Sequence, residues 1–153
     1  MEIERKYLVH RLPSDLEQYP HRPIEQAYLC TEPVVRIRRD ADDFILTYKS
    51  KGLMVREEYN LPLTEEAYRH LSGKADGRVI CKERYCIPYR DNLTIELDIF
   101  KGDLSPLILA EVEFPDEASA NAFVPPEWFG EDVTFSSRYH NSTLSRMTVS
   151  EPE

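Results

Sequence analysis

Charged residues recur at every second position along this chain, with apolar residues between them. Glu2, Glu4 and Lys6 open the pattern, and it returns at Arg36/Arg38, Lys49/Lys51, Arg56/Glu58, Lys82/Arg84, Glu96/Asp98 and Glu111/Glu113. In an extended strand successive side chains point to opposite faces, so each set shares one face. On the opposite face sit Ile3, Ile37, Cys81, Tyr85, Ile95, Leu97, Ile99, Val112 and Phe114. Each strand therefore has a charged face and an apolar face.

The same pattern sets the elements. Strands are predicted over 2–9, Ile24–Thr31, Val34–Arg39, Phe44–Lys49, Leu53–Leu63, Arg78–Pro88, Asn92–Phe100 and Leu107–Phe114. Breaks fall at Glu32-Pro33, at the acidic turn 40–43, at Ser50-Lys51-Gly52 and at Tyr89-Arg90-Asp91. Short strands with tight connections predict antiparallel meanders. A helix is expected from Thr64-Glu65-Glu66, with Ala67, Tyr68 and Leu71 as its apolar stripe and Gly73 as its stop. A second is expected over Asp116–Val124, ended by Pro125-Pro126, and a third over Arg138–Met147. Residues 12–23 are proline-rich, with Ser14-Asp15 placed to cap a single turn. One domain over 1–147 is expected, with a short tail over 148–153.

Composition narrows the class. At 153 residues, 41% hydrophobic and 31% charged, the chain suits one globular domain. Its net charge of −9 argues against nucleic acid or an anionic membrane as partner, so the basic residues belong to a local site. No N-terminal apolar leader and no membrane-length apolar run is seen, so a cytoplasmic location is expected. Cys30, Cys81 and Cys86 are odd in number and form no C-x-x-C, which suggests neither a disulfide framework nor zinc. They are expected as buried small apolar groups. Oligomeric state is open, a homodimer included.

For any single strand, a charged face is ordinarily a solvated one. Taken together, however, the charges segregate. Positions 36, 38, 49, 51, 82 and 84 are cationic, and positions 2, 4, 96, 98, 111 and 113 are anionic. Like charges opposed across strands repel, so an open sheet has no use for such blocks. A closed barrel would use them, with an anion on the cationic wall, a divalent cation on the acidic wall, and the apolar faces turned outward under helices. Carboxylates suit Mg²⁺ or Mn²⁺, which in turn bind phosphate oxygens. Arg grips phosphate as a two-pronged donor and Lys as a point charge. No glycine-rich phosphate loop is present, so side chains must do the gripping. His10, His21, His70 and His140 are scattered and are expected at the surface or at helix caps.

These residues resemble the CYTH family, the triphosphate tunnel metalloenzymes, in its compact bacterial form. The E-x-E-x-K signature is Glu2-Ile3-Glu4-Arg5-Lys6. In order after it come Val35-Arg36-Ile37-Arg38, Leu46-Thr47-Tyr48-Lys49, Arg56-Glu57-Glu58, Lys82-Glu83-Arg84-Tyr85, Glu96-Leu97-Asp98 and Ala110-Glu111-Val112-Glu113-Phe114. The stretches 126–134 and 138–141 are similar too, so the resemblance covers nearly the whole chain. It implies a mainly β, α+β fold: an eight-stranded antiparallel barrel forming a tunnel with a charged interior and a few outer helices. It further implies phosphate contacts from Arg36, Arg38, Lys49, Lys82 and Arg84, with Lys6 beside them. Glu2, Glu4, Glu111 and Glu113 would bind metal, with Glu96 and Asp98 as further candidates. Lys6, Lys82 and Glu58 are the implied catalytic residues. Two positions depart from the family pattern: Asn60 stands where many relatives carry Glu, and Phe135-Ser136-Ser137 stands where an acidic residue is common.

The expected activity is Mg²⁺- or Mn²⁺-dependent hydrolysis of inorganic tripolyphosphate or a small organic triphosphate. The competing readings are cyclisation of ATP to cyclic AMP, which some CYTH proteins perform, and a module that binds polyphosphate or nucleotide without turnover.

Overall fold

The computed structural model describes residues 1–146; Met147, at the end of the expected third helix, and the expected tail 148–153 lie outside the described residues. Ten strands form: β1 (Glu2–Val9), β2 (His21–Thr31), β3 (Val34–Asp40), β4 (Asp43–Lys49), β5 (Val55–Arg56), β6 (Glu58–Pro62), β7 (Asp76–Pro88), β8 (Thr94–Phe100), β9 (Ile108–Glu113) and β10 (Phe129–Asp132). They join one sheet in the order β10-β1-β9-β8-β7-β2-β3-β4-β6. All its pairings are antiparallel.

Closure comes from the segment 55–62. β5 pairs with β1 through Glu2↔Arg56, while β6 pairs with β4 through Lys49↔Glu58. Only Glu57 separates β5 from β6, so one short stretch of chain bridges the two ends of the sheet and curls it into a barrel. Taken as one interrupted stave, 55–62 completes the expected eight. β10 is the addition: it pairs with the far end of β1, at Tyr7 and Val9. Its sequence, Phe-Gly-Glu-Asp, carries no alternation and gave no strand signal.

The barrel is apolar outside and ionic inside. Helix α1 (Glu65–Ser72) is capped by the Thr64 hydroxyl, which accepts from the Ala67 N–H at 3.0 Å. It lays Tyr68 against Ala27 and Ile37, with Phe44 and Leu46 beside them. Helix α2 (Glu117–Ala122), capped by Asp116, places Ala120 over the outer faces of β1, β8 and β9. There Ile95, Leu97 and Val112 are wholly buried. Each such side chain contributes about 1.5–3 kcal/mol through area removed from water. The outward apolar face is therefore covered as expected, and it is this cover that lets the charges face inward.

At one end the interior itself is apolar. Leu8, Tyr28, Val34, Ile80, Phe100 and Leu109 lie at inward positions beyond the ionic ones and pack with Val133, Tyr139 and Leu144. Those last three come from the chain after β10, including α3 (Asn141–Leu144), the shortened form of the third expected helix. The barrel thus has a filled floor beneath its charged section.

Two expectations are corrected. Lys51 does not extend the cationic wall: it is exposed and pairs with Glu32 at 3.7 Å. Strand β4 ends at Lys49, and Gly52, at φ +139°, swings the chain away; a Cβ there would meet the Val55 carbonyl oxygen at 2.2 Å. The cysteines are free thiols but none is fully buried, and Cys81, at an outward position of β7, is exposed.

Candidate active site

Alternation on seven of the eight staves delivers the expected ionic side chains to one cavity of about 230 Å³. Glu2, Glu4, Lys6, Arg36, Arg38, Lys49, Glu58, Arg84, Glu96, Glu111 and Glu113 all line it. Register explains the gathering. Glu4 faces Glu113 and Lys6 faces Glu111 across β1–β9, and Glu96 faces Glu111 across β8–β9. Lys82 and Asp98 are inward but do not line the cavity. They lie deeper, each about 1% exposed.

The interior ions fall into three groups. In the first, Asp98 accepts from Lys82 Nζ at 2.6 Å and from Arg84 Nε and Nη2 at 2.7 and 2.9 Å. Arg84 also reaches Glu111 at 3.1 Å and Glu96 at 3.3 Å, and Lys6 stands 3.7 Å from Glu111. Burial disfavours these charges, but their mutual attraction outweighs it at the acids: Lys6, Arg84 and Lys82 hold the Glu111 carboxyl well below the usual carboxylate range. Burial lowers Lys82 to about 8, with Asp98 acting against it.

The second group is the acidic wall. Lys49 Nζ lies 3.0 Å from Glu2 and 3.7 Å from Glu58. Glu2, Glu58 and Glu113 bring carboxylate oxygens within 4.8 Å of one another. Crowded carboxylates resist losing their protons. Burial, then Glu111 and Glu2, push Glu4 up to about 8, and burial with Glu2, Glu58 and Glu96 raises Glu113. Three hard oxygen donors at this separation fit a divalent cation such as Mg²⁺ or Mn²⁺, and such a cation relieves the repulsion that raises the two pKa values.

The third group is Arg36 and Arg38. Neither has a carboxylate within ion-pair distance among the described residues. Arg38 is held by the Gln26 amide oxygen at 2.8 and 2.6 Å, and Arg36 Nη2 donates to Thr47 Oγ1 at 3.2 Å. Burial, then Arg36 and Arg84, lower Arg38 to about 9, so it stays cationic at neutral pH. Two inward guanidiniums without counter-charge make a wall that favours an anion.

Some lining residues gave no usable signal in the sequence. His140, Asn141 and Ser142 reach the cavity from the start of α3, and Arg22 reaches it while paired with Asp40. His140 was expected as surface or cap. It does occupy the cap position of α3, but it also lines the site, where burial and then Lys6, Arg56 and Lys49 lower it to about 4. Only barrel closure brings residue 140 to residues 6, 49 and 56, so no local spacing reveals it.

An antiparallel barrel with opposed cationic and acidic walls defines a class of protein that takes a polyanion together with a cation. Comparison places it within that class. The CYTH domain family matches residues 1–150, and the chain belongs to that family. It is 40% identical to an inorganic triphosphatase of Nitrosomonas europaea over 147 residues, covering 94% of this chain and 96% of the relative. An inorganic triphosphatase of Acetivibrio thermocellus is 39% identical over 113 residues, covering 72% and 70%. Among solved structures, the inorganic triphosphatase NE1496 superposes with a TM-score of 0.72 at 38% identity, covering 97% of this chain and 96% of that one. HpAC1 from Hippeastrum, described as having a dominant triphosphatase activity, shares the fold at a TM-score of 0.59 and 15% identity, covering 79% and 83%.

Proposed function

We propose that this chain is a divalent-metal-dependent triphosphatase, with inorganic tripolyphosphate as the foremost substrate and a small organic triphosphate as the alternative. The observation that carries this reading is the pair Arg36 and Arg38, inward guanidiniums without a carboxylate in a cavity whose other inner cations are mostly ion-paired. The relatives named inorganic triphosphatase support it. So does the cavity: about 230 Å³ lies below the roughly 300–1,000 Å³ of common small-molecule pockets, and among the described residues Tyr28 is the sole tyrosine, phenylalanine or tryptophan in its lining. A nucleobase would find little to stack on.

In the reaction a water oxygen bonds to a terminal phosphorus, the P–O–P bond breaks with its electron pair on the bridging oxygen, which leaves with pyrophosphate, and the water's protons pass to the phosphate products and solvent. Arg36 and Arg38 grip the phosphate chain in ground and transition state alike, while Lys6 and Lys49, against it, offset the charge that grows on the leaving oxygen. Glu2, Glu58 and Glu113, with Glu4 adjoining, are assigned to Mg²⁺ or Mn²⁺, which when bound withdraws charge from phosphate oxygens and lowers the pKa of coordinated water. Glu58 thus moves from a catalytic to a metal-holding role. Asp98, Glu111 and Lys82 are assigned to positioning Arg84 and Lys6, because their charged atoms already face one another. A cytoplasmic setting completes the proposal.

The test is a product-resolved assay of tripolyphosphate, ATP, GTP and thiamine triphosphate with Mg²⁺, Mn²⁺ or chelator. Phosphate release from tripolyphosphate that chelator abolishes is expected. Cyclic AMP from ATP, or binding of tripolyphosphate with no product after long incubation, would overturn the reading in favour of a cyclase or a binding module.

A further inference from the structure

Four interior cations are held by acids: Lys49 by Glu2, Lys82 by Asp98, Arg84 by Asp98 and Glu111, and Lys6 by Glu111. Arg38 is held differently. Its Nε and Nη2 both donate to one atom, Gln26 Oε1, at 2.8 and 2.6 Å. Gln26 sits directly opposite Arg38 in the β2–β3 register, at an inward position, and is wholly buried. The amide can face only one way, because turning it over would point two N–H donors at two others. Gln26 Nε2 has no partner among the described residues, so Gln26 forgoes a hydrogen bond of its own while fixing the guanidinium. Arg36 shows the same arrangement at one remove: it donates to Thr47 Oγ1, whose hydroxyl donates to Asn60 Oδ1 at 2.6 Å.

A carboxylate at hydrogen-bond distance orients an arginine but cancels most of its field at a ligand. A neutral amide oxygen orients it and leaves the charge in place. We infer that Gln26 is a positioning residue that fixes the Arg38 guanidinium across the β2–β3 pair while leaving its full charge to the bound anion. This rests on the reading of the cavity as a triphosphate site.

The substitution Gln26→Glu tests it, since it keeps the shape and acceptor but adds the missing counter-charge. Because uniform ground-state binding is what is lost, KM for tripolyphosphate should rise about ten-fold or more with kcat much less affected. The thermal midpoint should hold or rise, because a buried cation gains a partner. A filler of core volume would give the opposite: a lower midpoint and an unmoved KM. Gln26→Met, which keeps volume and removes the acceptor, covers the case in which the glutamate variant fails to fold, and it too should raise KM. Sulfate titration by calorimetry separates this inference from the proposed function. Failure of the wild type to turn over tripolyphosphate would defeat the function, yet weaker sulfate binding by Gln26→Glu would still support the role of Gln26. Equal sulfate affinity and equal KM in folded variants would overturn it.

Discussion

Removing the Asp98 carboxylate is the sharpest probe of the ionic interior. Asp98 is 1% exposed and accepts three hydrogen bonds, one from Lys82 and two from Arg84. In Asp98→Asn, Arg84 keeps Glu111 and Glu96, but Lys82, with its side chain wholly buried, loses its one carboxylate partner among the described residues. Breaking a buried pair from one side costs about 3–5 kcal/mol, a large share of the roughly 5–15 kcal/mol that holds a domain together. Lys82 has an escape. Burial already lowers it to about 8, and Asp98 is what opposes that shift, so without Asp98 it sheds its proton more readily. The unfolded chain binds that proton up to the ordinary lysine value of 10.5, so it binds more protons than the folded variant as pH rises towards that value, and the variant's stability climbs with pH. Urea unfolding at pH 6 and pH 9 reads both effects: a loss of about 3–5 kcal/mol at pH 6 and a smaller one at pH 9. A loss under about 1 kcal/mol at pH 6, or the same loss at both values, would refute the buried-pair argument.

Other elements give further expectations. His140 is lowered from 6.5 to about 4, so between those values the unfolded chain binds more protons and stability rises with pH; His140→Asn should remove about 1 kcal/mol of that rise, since solvent screens the partly exposed ring, and unfolding curves from pH 4 to 7 that are parallel for variant and wild type would contradict it. The comparison must be a difference, because Glu4, raised to about 8, acts with opposite sign over part of that range. Leu97→Ala on the outer face of β8 should cost about 2–5 kcal/mol in chemical unfolding, whereas a solvated outer face would make it nearly neutral. Thr64→Ala should cost about 1 kcal/mol and melt α1 first by amide exchange, leaving KM for tripolyphosphate unmoved.

The alternation of charge was enough to place eleven ionic side chains in one cavity, because parity fixes which face a strand residue takes. Parity is silent on depth along the barrel. Lys82 and Asp98 have the same parity as Arg84 and Glu96, yet they lie beneath the cavity, where they meet each other. Parity also needs a strand: Lys51 kept the spacing of Lys49 but fell past the end of β4. The triad Glu2, Glu58 and Glu113 joins three segments that meet only when 55–62 closes the sheet, so no spacing announces it. Asn60 was legible as a departure from the family pattern. Its partner Thr47, and through it Arg36, became visible only in the β4–β6 register.

The central claim is that Arg36 and Arg38 present uncompensated charge to a polyphosphate inside the barrel. Calorimetric titration of tripolyphosphate into wild type and into the double variant Arg36→Ala, Arg38→Ala, both in chelator, measures it without turnover. The account predicts one site per chain in the wild type and binding at least about a hundred-fold weaker in a double variant that remains folded. Equal affinity in the two proteins would contradict it.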